Sequence, residues 1–254
     1  TGFNFGGGLG MYDSLNGFFQ AYPAPYSPDA MAIPVETSDG HVWVTDHSNN
    51  RISEFDPDSG TWLQSIVMPT PSCWVVQGYE DRDNGQVYYT QYNANQLGRH
   101  AVGGSVVTDI PVPGGGPAFC VYSDGVVYYS RWLESGIGAY DVTTGVVTEY
   151  NFPLFNENGG PMWLMPDGRI VTGTRNRGYI MVFDPATESF EAYQIPTAFP
   201  GLKDGMTAAP DGTIWFTETG VDKLGRLRLL PPPCDGDVDE DGTVNTADLL
   251  ELLS

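Results

Sequence analysis

Short runs of aromatic and β-branched residues recur along the chain, each opened by a tight-turn dipeptide: Asp39-Gly40, Asn84-Gly85, Asp124-Gly125, Asp167-Gly168 and Asp211-Gly212. The glycines lie 45, 40, 43 and 44 residues apart. Such dipeptides supply the positive φ angles that a two-residue hairpin needs. The runs that follow them, Val42-Trp43-Val44, Val87-Tyr88-Tyr89, Val127-Tyr128-Tyr129, Ile170-Val171 and Ile214-Trp215-Phe216, read as central strands. A second marker keeps the same period, with short strands ending at Pro25, Pro69, Pro113, Pro153 and Pro196. Between the markers lies a third strand, as in Ile52-Ser53-Glu54-Phe55-Asp56 and Ile137-Gly138-Ala139-Tyr140-Asp141. Each unit of about 43 residues therefore holds four short strands. A four-stranded antiparallel sheet this small cannot bury both faces alone, so copies must stack around an axis. The expectation is an all-β fold, a β-propeller.

The last copy stops after its third strand, at Leu224-Gly225-Arg226-Leu227, while Gly17–Pro25 carries a surplus fourth strand. Pairing the two closes the ring and removes exposed edges, which gives five blades. The segment Gly10-Met11-Tyr12-Asp13 resembles one more third strand, so it is either a flap or the remnant of a depleted sixth blade.

Composition changes the picture at the C-terminus. The chain has 254 residues and a formal net charge of −21. Residues 235–254 carry seven of the 32 acids and no base, directly after Pro231-Pro232-Pro233. A propeller over 1–230, a stiff linker at 231–234 and a chemically different segment at 235–254 follow. Charge this negative repels phosphate backbones and anionic lipid, which argues against nucleic-acid and membrane-surface partners. No apolar run approaches the ~20 residues that span a bilayer.

The phrase Asp211-Gly212-Thr213-Ile214-Trp215-Phe216-Thr217-Glu218, followed by Asp222-Lys223-Leu224-Gly225-Arg226-Leu227, resembles the repeat of the virginiamycin B lyase family. The resemblance covers about residues 15–230 and implies a propeller closed by an N-terminal outer strand. It also implies elimination across an ester, by histidines placed just before the innermost strands and assisted by glutamate and Mg²⁺. The corresponding positions fall at or near Asp29, Ser72, Pro117, Gly160 and Asp204, and none is histidine. A general base must reach the proton it removes, and imidazole is the usual choice near neutral pH. Lyase activity is therefore not the leading expectation.

Another site is conceivable on the residues after each second strand: Asp46, Gln91, Arg131, Arg175 and Glu218. As a pocket, this ring offers His47 (beside Asp46) and Glu218 as weak acid/base candidates, with Arg131 and Arg175 as anion clamps. As solvated loop ends, it offers nothing. Asp29 and Asp204 either hold a cation near the channel mouth or make local turn hydrogen bonds. Six tryptophans invite glycan stacking, but Trp43 and Trp215 sit where blades pack, leaving Trp132 as the candidate for exposure.

The strongest chemical signal is Asp237-Val238-Asp239-Glu240-Asp241-Gly242-Thr243-Val244-Asn245-Thr246-Ala247-Asp248. Acids at loop positions 1, 3, 5 and 12, with glycine at 6, have Ca²⁺-loop spacing. Asp237, Asp239, Asp241 and Asp248 supply carboxylates, Thr243 its carbonyl, and Asn245 a direct or water-mediated contact. With Leu249-Leu250-Glu251-Leu252-Leu253 following, the segment resembles one type I dockerin repeat. Dockerins carry two such repeats and bind a cohesin domain. A single copy leaves Leu249, Leu250, Leu252 and Leu253 in need of a partner: the propeller itself, a second chain, or a further part of a longer protein. Docking onto a neighbouring copy would build a ring or filament. Cys73 and Cys120 either bridge adjacent blades or stay buried as thiols, and Cys234 pairs elsewhere or remains free. The Ca²⁺ loop and the scarcity of lysine imply a secreted mature chain. The expected function is a secreted, non-catalytic binding or assembly module with a protein or glycan partner. A lyase-like or carbohydrate-active enzyme is the alternative.

Overall fold

The computed structural model describes residues 2–3, 8–24, 26, 31–203 and 205–229. An N-terminal sheet comes first, in the order β1 (Gly2–Phe3), β2 (Gly8–Asp13), β3 (Phe18–Pro23). Five sheets follow in strict chain order. They are β4 (Met31–Glu36), β5 (Val42–Asp46), β6 (Arg51–Asp56) and β7 (Thr61–Val67); then β8 (Val75–Asp81), β9 (Gln86–Gln91), β10 (Gln96–Ala101) and β11 (Thr108–Pro111). Next come β12 (Pro117–Ser123), β13 (Val126–Arg131), β14 (Ile137–Asp141) and β15 (Val147–Tyr150), and β16 (Gly159–Leu164), β17 (Ile170–Thr174), β18 (Tyr179–Asp184) and β19 (Ser189–Gln194). The last sheet has three strands, β20 (Met206–Ala208), β21 (Ile214–Glu218) and β22 (Lys223–Leu227). Every pairing is antiparallel between chain neighbours. This is a five-bladed β-propeller, with a single 3-10 turn at Tyr92–Ala94 as its helical content among the described residues.

The repeat markers have physical counterparts. Gly40, Gly85, Gly125, Gly168 and Gly212 all hold positive φ, where a side chain would be strained. Only Asp124-Gly125 closes a two-residue hairpin, with both residues at positive φ and Ser123 paired to Val126. The other four turns are longer. In blades one, four and five, a hydrogen bond closes back across the turn, as from Thr37 N–H to the His41 carbonyl (2.9 Å). The outer strands β7, β11, β15 and β19 stop two to three residues before the marker prolines Pro69, Pro113, Pro153 and Pro196.

One expectation is corrected. The N-terminal strand does not complete the last blade: β3 pairs with β2 in a sheet of its own, and Lys223–Leu227 pairs only with β21 among the described residues. The N-terminal sheet instead packs on the first blade, where Leu9, Val44 and Phe55 form a core with Tyr22 and Trp62 against it. The β2–β3 hairpin keeps its own partner because Asp13 accepts from the backbone of Leu15 and Asn16 and fixes the turn.

Adjacent blades meet through continuous apolar cores. Trp43, Ile52, Val75 and Tyr89 join the first two blades, and Phe119, Val121, Tyr128, Met162 and Met181 join the third and fourth. Each fully buried aromatic side chain contributes a few kcal/mol, which is what holds sheets too small to stand alone. The innermost strands β4, β8, β12 and β16 each carry a bulge near their start, as between Val75 and Gly78 and between Pro117 and Cys120. A bulge bends the strand and withdraws backbone groups from the ladder. Those groups are taken up by the neighbouring blade: Thr45 Oγ1 donates to the Val76 carbonyl (2.8 Å) and Thr90 Oγ1 to the Ala118 carbonyl (2.7 Å).

Candidate functional site on the upper face

The end of each blade where the second strand turns into the third is here termed the upper face. These turns hydrogen-bond back to the connector entering the same blade. Tyr92 N–H donates to the Trp74 carbonyl (3.0 Å), Trp132 N–H to Gly116 (3.1 Å) and Arg175 N–H to Asn158 (3.3 Å). Turn and connector therefore move as one surface, and side chains from different blades come into line on it.

A row of rings and cations results. The His47 ring lies nearly parallel to Trp74, centroids 6.3 Å apart, and Trp74 stacks on Tyr92 at 5.8 Å. Tyr92 packs over Gly116, whose missing side chain leaves room for the ring beside Leu133. Beyond it Trp132 carries the Arg175 guanidinium 3.7 Å above its face, and Arg175 also donates to the Trp132 carbonyl (2.9 Å). Trp74 is 46% exposed and Leu133 58%, so the row has an open apolar surface. Trp74 sits at φ +54°, a conformation that costs roughly 1–3 kcal/mol in a non-glycine residue and that clusters at functional sites.

The sequence-nominated residues divide. Trp132 is half-buried rather than exposed, because Phe119 and Arg175 cover it. Trp43 is fully buried as expected, whereas Trp215 is half-buried with Arg226 over its ring at 5.8 Å. Asp46 is buried and accepts from the Asn49 backbone and side chain, so it is a turn-former that does not orient His47. Gln91 donates to Asp109 (2.7 Å). Arg131 is no anion clamp: two carboxylates, Glu134 and Glu149 (3.1 Å), already neutralise it, and Asn151 (2.8 Å) and the Ser135 carbonyl (2.8 Å) accept from its Nη1. Arg175 keeps an unpartnered Nε among the described residues, and burial lowers its pKa from the usual guanidinium value. Burial likewise lowers the His47 pKa, with Asp46 opposing it, and leaves Nε2 without a partner among the described residues. Glu218 is buried on the fifth blade with Oε2 unpartnered among the described residues. No hydrogen bond or ion pair joins it to His47, so the two weak acid/base candidates are not a dyad.

The other histidines lie elsewhere. His41 sits at the opposite, lower end of the first blade, and His100 on β10 is buried between Trp43 and Tyr89. Cys73 and Cys120 are buried free thiols. Burial pushes the Cys73 thiol up to about 12 and that of Cys120 higher still.

The positions where the family's histidines would fall also have a physical reading. Ser72 is exposed at φ +55°, and Pro117 opens β12. At Gly160 a Cβ would stand 2.6 Å from the Gly173 carbonyl oxygen, so no side chain fits there. Pro117 and Gly160 carry no side-chain donor, so neither can take the histidine's role or hold Mg²⁺ through a side chain. Asp29, Asp204, Cys234, the linker 231–234, the Ca²⁺-loop residues Asp237, Asp239, Asp241, Thr243 and Asp248, and Leu249, Leu250, Leu252 and Leu253 all lie outside the described residues.

Sequence reasoning missed the hydroxyl one residue from the end of the second strand. Thr45, Thr90, Ser130 and Thr217 occupy it in four blades; the first three bond a backbone group of an inner strand, and Thr217 accepts from Gly205 just before β20. The recurring Ser/Thr was visible as a column of the repeat. Its role was not, because its acceptor or donor lies 11 to 31 residues away.

Comparison with known proteins agrees with this geometry. The profile of the Virginiamycin B lyase family matches residues 23–240, and the chain belongs to that family. Among solved structures, virginiamycin B lyase from Staphylococcus aureus is 23% identical with a TM-score of 0.79, over 89% of this chain and 75% of that one. Its catalytically inactive form with quinupristin is 21% identical (TM-score 0.81, 89% and 75%). Kuenenia stuttgartiensis hydrazine synthase is 14% identical (TM-score 0.75, 98% and 77%). At these identities the likeness is one of fold. No curated protein sequence matches the chain.

Proposed function

We propose that the protein is a secreted, non-catalytic propeller that works as a binding and assembly module. Its upper face receives a protein partner, and a Ca²⁺-ordered segment at 237–248 presents Leu249, Leu250, Leu252 and Leu253 for docking. The observation that carries the reading is the aromatic row His47–Trp74–Tyr92, open at Trp74, on a face whose family histidine positions hold Ser72, Pro117 and Gly160. Rigid aromatic side chains give large contact area at little entropic cost and are favoured at interface centres. The Ca²⁺ element rests on the spacing of Asp237, Asp239, Asp241, Thr243 and Asp248, and four clustered carboxylates require a cation to fold together.

The test is size-exclusion chromatography with light scattering on the full chain, in Ca²⁺ and in chelator. Association should appear in Ca²⁺, vanish in chelator and weaken in Trp74→Ala. An assembly state indifferent to chelator would overturn the docking element, and one indifferent to Trp74→Ala would remove the upper face. A second reading, a lyase-like or carbohydrate-active enzyme, is favoured by His47 Nε2 and Glu218 Oε2, which have no partner among the described residues. It predicts turnover of an ester or glycoside that His47→Ala or Glu218→Gln abolishes.

A further inference from the structure

We propose that Asp39, His41 and Glu54 form a binding site for one divalent transition-metal ion of the Zn²⁺ type at the lower end of the first blade. His41 Nδ1 lies 2.7 Å from Glu54 Oε1 and 3.5 Å from Asp39 Oδ2, and the three donor atoms fit within 4.8 Å of one another. Zn²⁺ binds nitrogen and carboxylate oxygen at about 2.0–2.2 Å in tetrahedral array, which sets donors about 3.3 Å apart. The His41–Asp39 separation is close to that value, and the shorter His41–Glu54 contact is a hydrogen bond whose proton the ion would replace.

The donors come from different parts of the blade. Asp39 and His41 belong to the turn between β4 and β5, while Glu54 projects from β6 opposite Trp43. Each carboxylate has one oxygen tied down and one turned to the imidazole. Asp39 Oδ1 accepts from Thr37 Oγ1 (2.7 Å) and from the His41 N–H (3.2 Å). Glu54 Oε2 accepts from Gln64 Nε2 (2.7 Å), and that amide also reaches the Gly104 carbonyl (3.3 Å). Partners of this kind orient ligating carboxylates in metal sites.

Charge favours a cation as well. Two carboxylates face a single imidazole, Glu54 is buried, and among the described residues neither acid has an ion-pair partner other than His41. Asp56 adds to the negative field at His41. The imidazole nitrogen selects a borderline metal over Ca²⁺ or Mg²⁺, which take oxygen. His41 and Asp39 are solvent-accessible, which gives the ion a way in and leaves its fourth position to water.

The experiment is calorimetric titration of the full chain with Zn²⁺ in saturating Ca²⁺, so that the Asp-rich terminus is already filled. One equivalent of Zn²⁺ should bind, raise the melting temperature reversibly with chelator, and weaken by at least about tenfold in His41→Gln and in Asp39→Asn. Asp39→Asn lies on an exposed turn, whereas His41→Gln removes the partner of the buried Glu54, so circular dichroism of both metal-free variants accompanies the titration. Co²⁺ added to the unmodified chain should show the intense visible bands of a tetrahedral nitrogen-ligated ion. No Zn²⁺ uptake, or uptake in both variants as tight as in the unmodified chain, would overturn the site and leave His41 and Glu54 as an ordinary ion pair.

Discussion

Replacing Thr90 by valine tests whether hydroxyls rivet the blades together. Thr90 Oγ1 donates to the Ala118 carbonyl (2.7 Å) on the next blade and accepts from the Gln77 N–H (3.1 Å) on its own inner strand. Both backbone groups sit in bulges, between Val75 and Gly78 and between Pro117 and Cys120, so neither has a ladder partner to fall back on. Valine matches threonine in shape, so no cavity opens. What changes is that a buried N–H and a buried C=O lose their partner, at about 1–3 kcal/mol each. The expected loss is therefore about 2–6 kcal/mol, or roughly 4–24 °C in melting temperature for a chain of this size. Thr90→Ser keeps the hydroxyl and removes one methyl group, for about 1 kcal/mol. Urea unfolding followed by tryptophan fluorescence and circular dichroism separates the two variants. If Thr90→Val proves as stable as Thr90→Ser, the hydroxyl does not join the blades and the reasoning fails.

Burial depresses the His100 pKa to about 4, below the unfolded value of about 6.5. Between those values the unfolded chain binds the extra proton, so stability falls as pH drops through this window, by about 3 kcal/mol when complete. His100→Phe should flatten the acid limb of the stability curve, and an unchanged limb would refute the assignment. Gly160→Ala should cost about 1–3 kcal/mol in the same unfolding assay, because the Gly173 carbonyl at 2.6 Å belongs to backbone and cannot swing away. Wild-type stability in that variant would show that the position tolerates a side chain after all. Cys73 and Cys120 should resist a thiol reagent in the folded protein and react on unfolding, since burial raises both thiols. Rapid labelling at Cys73 or Cys120 without denaturant, read by peptide mapping to separate them from Cys234, would contradict their burial.

The chain by itself determined the repeat, the all-β class and the places where each blade turns, because these depend on neighbours in sequence. The glycine of a tight turn takes positive φ without steric cost, as Gly40, Gly85, Gly125, Gly168 and Gly212 do, and Val127-Tyr128-Tyr129 favours a strand before it meets another sheet. The fully buried Trp43 was legible for the same reason. Tertiary structure alone decided what crosses from one blade to another. It put Arg131 among Glu134, Glu149 and Asn151, which removed it from any binding role. It covered Trp132 with Phe119 and left Trp74 open, though both are tryptophans in loops. It barred a side chain at Gly160 by placing the Gly173 carbonyl beside it, and it brought Glu54 to His41 from across a strand. It also kept β3 with β2, where the repeat alone assigned that strand to the last blade. Local conformational preference is written residue by residue, whereas desolvation, ion pairing and steric exclusion depend on atoms that become neighbours only when the blades stack.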